Sequence, residues 1–151
     1  IENEINSKFT LKIIGGPNKS IEELEKIIKK NNLENFVKLY GRLDRKETIK
    51  EIQKSSIGLL INTNFNLHSL KYTSPLKYFE YLFGSLKIIA VNFPAHHELP
   101  FSDNISFFDF EDKSTFVQAL NRAENKEAFK INDLNEITLD SRIKKILDFI
   151  K

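Results

Sequence analysis

Short apolar runs alternate with amphipathic stretches along most of this chain, and that alternation limits the folds open to it. FTLKIIGG (9–16), NFVKLYG (35–41), IGLLI (57–61), KIIAV (87–91) and ISFFDF (105–110) each read as a strand. The first four show little alternation of apolar with polar residues, the pattern of strands covered on both faces. Helical spacing runs through 20–33, 44–55, 75–84, 112–125 and 140–150. Ser20 with Glu23, and Asp44 with Glu47, fit capping boxes. Pro75 suits a first helical position, and Gly84 a helix end. Strands alternating with helices predict an α/β fold: a Rossmann-like, mainly parallel sheet with helices on both faces. At 151 residues the chain suits a single domain over 1–151. Residues 62–74 and 92–100 read as loops, the latter with a short helical turn allowed.

Charge is spread unevenly. Residues 1–60 hold 21 charged side chains and residues 101–151 hold 18, but residues 61–100 hold only five. A doubly covered sheet gives this depletion, and so does a ligand-lined crevice. In open parallel sheets ligands sit beyond the carboxyl ends of the strands, so the loops after Ile14, Tyr40, Ile61 and Val91 are the places to look.

One of them leads into YTSPLKYFEY (72–81). Ser74 stands where a cap belongs, and Lys77 lies on the first turn, where a cation opposes the helix dipole. A bound phosphate on the free amides would account for it. Glu80 follows one turn on, and a carboxylate can take both hydroxyls of a ribose diol. A surface pair between Lys77 and Glu80, with Ser74-Pro75 a mere helix start, is the plainer alternative. Leu76, Phe79 and Phe83 read as the core face.

A formal charge of +2 does not call for nucleic acid, and no cysteine is present for thiol chemistry or thiolate metal sites. No run is long enough to span a membrane, and a cytoplasmic location fits. Adjacent His96 and His97 do not readily share one metal. No nucleophile–base pair assembles from the sequence.

The order IIGGP, VKLYGRL, IGLLINT, YTSPLKYFEY, KIIAV resembles the C-terminal, donor-binding domain of GT-B glycosyltransferases. It is most similar to retaining family 4 members with an S-P-x-K-x-F-E-Y motif, over about residues 9–151. The resemblance implies that Glu80 holds the ribose of a nucleoside-diphosphate sugar. It places the diphosphate on the amides around Thr73, Ser74, Pro75 and Lys77, with Tyr72 beside them. Gly41 and Arg42 would lie near the base, and Gly15 and Gly16 would admit close backbone approach. Many members carry a glutamate where this chain has Tyr72, so no acidic contact to the donor sugar is expected there. Glu98 matches a family glutamate after the fourth strand, with a surface role equally open.

The resemblance further implies a retaining sugar transfer to a glycan or lipid-linked acceptor, as in polysaccharide biosynthesis, with no metal and no cofactor beyond the donor. The family's domain opens with a strand and helix not found here, and in its usual order that strand is central. The sheet is therefore expected to be incomplete or rearranged, and the chain to be part of a longer one. An N-terminal acceptor domain would complete the enzyme and carry any contact with the inner face of a membrane. These residues alone are expected to transfer no sugar. A non-catalytic nucleotide-binding or partner subunit is the alternative. A receiver-like signalling domain is disfavoured, because IIGGP carries no acidic cluster.

Overall fold

The computed structural model describes residues 9–62, 64–65, 67–72, 75–130 and 137–150. The chain divides into two compact units, residues 1–50 and 51–151.

In the first unit, β1 (Leu11–Ile14) pairs in parallel with β2 (Val37–Gly41), joined by α1 (Asn18–Lys30). The register shifts between Ile13 and Ile14, which sets Ile14 opposite Gly41. α1 packs on β2 and buries Ile28. It starts at Asn18, two residues before the expected Ser20 cap, with Pro17 as the capping residue. Pro17 fixes φ at −70° and its carbonyl accepts from the Ser20 and Ile21 amides, so the helix starts there. α2 (Arg45–Gln53) follows across the division between the units. Its capping box is reciprocal: Glu47 N donates to Asp44 Oδ1 at 2.8 Å, and Asp44 N donates to Glu47 Oε2 at 3.3 Å.

The second unit holds a parallel sheet in the order β3 (Ile57–Leu60), β4 (Lys87–Val91), β5 (Ile105–Phe108). Between β3 and β4 run α3 (Leu67–Lys71), within the stretch expected to be loop, and α4 (Leu76–Phe83). α5 (Pro94–His97) and a 3₁₀ turn (Ser102–Asn104) link β4 to β5. α6 (Lys113–Asn125) and α7 (Leu139–Ile150) complete the unit. Side chains alternate along β4. Ile88 and Ala90 join Tyr78 and Leu82 of α4, with Leu60 and Leu99, in one core cluster. Ile89 and Val91 are equally buried on the other face, where α6 lies with Phe116 edge-on to Phe108. Helices thus cover both faces of this sheet. On α7, Leu139, Ile143, Ile146, Leu147 and Ile150 are all exposed.

The expected α/β architecture is present, but its strands form two small parallel sheets, of two and three strands. The ladder of β1 goes to β2, and that of β3 goes to β4.

Candidate functional site

α4 follows the carboxyl end of β3 and is anchored from its buried side. Tyr78 is fully buried, and its hydroxyl donates to the Pro100 carbonyl; burial pushes its pKa up to about 12. The Tyr81 hydroxyl reaches the Leu59 carbonyl at 3.4 Å. The Tyr81 ring lies so close over β3 that a Cβ at Gly58 would overlap it. The buried face is therefore Tyr78 and Leu82, with Phe79 and Tyr81 half-buried. Leu76 and Phe83, expected in the core, are 80% and 57% exposed. The two tyrosines decide this orientation, because each phenol finds a backbone carbonyl at the sheet.

That rotation leaves Lys77 exposed on the first turn and Glu80 half-buried. No ion pair joins them, and Lys77 forms none among the described residues. The surface-pair alternative thus has no support in the geometry. Pro75 precedes the helix as its capping residue, with φ −73° and ψ 124°, rather than occupying its first turn. Tyr72 is 68% exposed at the end of α3. Thr73 and Ser74 lie outside the described residues. Gly84 closes α4 with φ −79°, and its lack of a side chain makes room for Ile52 and Leu86, whose nearest atoms would each be 2.8 Å from a Cβ.

In the first unit, Gly15, Gly16 and Gly41 have φ of 101°, 97° and 62°, a region that favours glycine. The amide of Gly15 donates to the carbonyl of Gly41 at 2.6 Å, which brings the carboxyl ends of β1 and β2 together. Nothing lies within 4 Å of where a Cβ of Gly15 or Gly41 would stand, so both leave open space as well as satisfying φ. Arg42 is exposed beside Gly41.

The loop after β4 carries two histidines in different settings. His96 is fully buried, and its Nδ1 donates to the Val91 carbonyl at 2.8 Å. Burial lowers its pKa, the Val91 bond opposes that, and neighbouring His97 adds to the lowering. Among the described residues neither its Nε2 nor the buried Ser106 hydroxyl on β5 has a hydrogen-bond partner. His97 is exposed, stacks on Phe107 with ring centroids 4.0 Å apart, and meets Asn92 Oδ1 through Nε2 at 2.7 Å. Asn92 Nδ2 in turn donates to Asp109 Oδ1 at 3.0 Å. Sequence reasoning missed this chain of side chains. Its available signal was that Asn92 follows directly on the strand 87–91; Asp109 was read within a strand over 105–110, which instead ends at Phe108. Glu98 is exposed just past α5.

No three His, Asp or Glu side chains gather as a metal set among the described residues. No described helix is long and apolar enough to cross a membrane. No family model matches the chain, and neither a curated protein nor a solved structure gives a match.

Proposed function

We propose that this chain binds a nucleoside-diphosphate sugar as the donor-binding part of a retaining glycosyltransferase. The observation that carries this reading is the first turn of α4. There a lysine that forms no ion pair with any described residue stands at the amino end of α4, which is reached from β3 by way of α3. A cation in that place is unfavourable to the helix dipole unless an anion joins it, and free amides with a lysine make a diphosphate site. Glu80, one turn on, offers a carboxylate for the ribose diol. The likeness of SPLKYFEY to the S-P-x-K-x-F-E-Y motif supports the same assignment.

On this reading the chain's chemical task is to hold the departing diphosphate with preorganised amides and a cation. An acceptor-binding domain would supply the rest of the enzyme, and the membrane contact if there is one. A thermal-shift comparison of UDP, GDP, CDP, dTDP and ADP tests the proposal. A ligand of the native state raises its midpoint, and one of the five is expected to do so. A flat response to all five would remove the reading.

A further inference from the structure

We infer that His97 accepts a hydrogen bond from a hydroxyl group of the donor's sugar through Nδ1, the nitrogen that carries the lone pair of the neutral ring when Nε2 donates to Asn92. This rests on the nucleotide-sugar reading and adds the residue that meets the sugar. A carboxylate only accepts, so the amide nitrogen of Asn92 must face Asp109, at 3.0 Å. The amide oxygen of Asn92 then faces His97 at 2.7 Å, and it too can only accept. The hydrogen of a neutral His97 ring is therefore on Nε2, and Nδ1 carries a lone pair. Nδ1 makes no hydrogen bond among the described residues.

The ring is held in plane against Phe107, at an interplanar angle of 22°. The backbone N–H of Asn92 donates to the Phe108 carbonyl at 2.7 Å, and the backbone N–H of Asp109 donates to Thr115 Oγ1 at 2.9 Å. Such bracing exceeds what a loose surface histidine has.

Position selects the ligand. Asn92 and Asp109 are the first residues beyond the carboxyl ends of β4 and β5, the edge where ligands of parallel sheets sit. The neighbouring strand β3 leads, by way of α3, to Lys77 and Glu80 on α4, and α3 packs on α5, which carries His97. A lone pair matches a hydroxyl donor. It does not match phosphate oxygens, which mainly accept at neutral pH. The sugar is the part of the donor that is rich in hydroxyls.

The test uses the whole chain with three probe pairs: UDP with UDP-glucose, GDP with GDP-mannose, and dTDP with dTDP-glucose. Wild type should bind one conjugate more tightly than its diphosphate. His97→Ala should lose about five- to tenfold for that conjugate and under about twofold for the diphosphate. His97→Asn keeps an acceptor near the Nδ1 position and should retain the preference; His97→Gln keeps one near Nε2 and should not. Nitrogen-15 imidazole spectra should show the Nε2–H form in wild type. Equal losses for both ligands, no loss in His97→Ala, or an Nδ1–H ring would overturn the role of His97 while leaving nucleotide binding intact. Failure of wild type to bind any of the six probes, with CDP and ADP equally without effect, would overturn both readings.

Discussion

His96 and His97 are adjacent in the chain and opposite in chemistry. His96 turns Nδ1 to the Val91 carbonyl and is sealed in the core; His97 turns Nε2 to Asn92 Oδ1 and is exposed. The burial that lowers the His96 pKa makes stability depend on pH. Below the ordinary value of 6.5 the unfolded chain takes up a proton that the folded chain resists. The unfolded state then binds more protons, so stability rises with pH and is lost as pH falls below 6.5. Urea midpoints at several pH values from 7.5 downward should decline for wild type, and His96→Leu should flatten that part of the profile. An unchanged slope in the variant would assign the decline to other groups. On α4 the two charged residues should separate by ligand. Glu80→Ala is expected to weaken nucleoside-diphosphate binding at least about tenfold, ~1.4 kcal/mol, and pyrophosphate binding less. Lys77→Ala should do the reverse. Calorimetry with both ligands checks this, and equal losses everywhere would reduce the pair to a general charge effect.

Elements here are held by a few close contacts that substitutions can probe. A Cβ at Gly58 would displace the Tyr81 ring and its bond to Leu59, so Gly58→Ala should cost about 2–3 kcal/mol, the upper range for overpacking. Gly84→Ala meets methyls of Ile52 and Leu86 at 2.8 Å and the Glu80 carbonyl at 3.3 Å, and should cost about 1–2 kcal/mol. Asp44→Ala removes half of a reciprocal cap, again about 1 kcal/mol. Denaturant melts should rank Gly58→Ala as the most destabilised. The order of strands and helices was legible from apolar runs and spacing, and so was the Asp44–Glu47 cap, because those signals are local. The start of α1 was misread because Pro17 competes with Ser20 and wins on fixed φ. The core face of α4 was misread because apolarity favours Leu76 and Phe83. Only the fold shows that Tyr78 and Tyr81 have carbonyls to reach, each 22 residues away in sequence. The His97–Asn92–Asp109 chain was not legible, since its last step spans 17 residues and exists through the pairing of β4 with β5.

At the scale of the molecule, two compact units each carry a candidate feature at the carboxyl ends of parallel strands. In residues 1–50 it is the glycine pair closing β1 and β2; in residues 51–151 it is the helix start after β3 and the histidine loop after β4. On the proposed reading, the helix start after β3 receives a diphosphate. Titration of the nitrogen-15-labelled chain with UDP, GDP, CDP, dTDP and ADP, read at the amides of Lys77 to Glu80, tests it most directly. One ligand should give saturable shifts with a Kd of ~0.1–1 mM, lost in Glu80→Ala. Amides that stay still with all five ligands, up to about 10 mM, would contradict it.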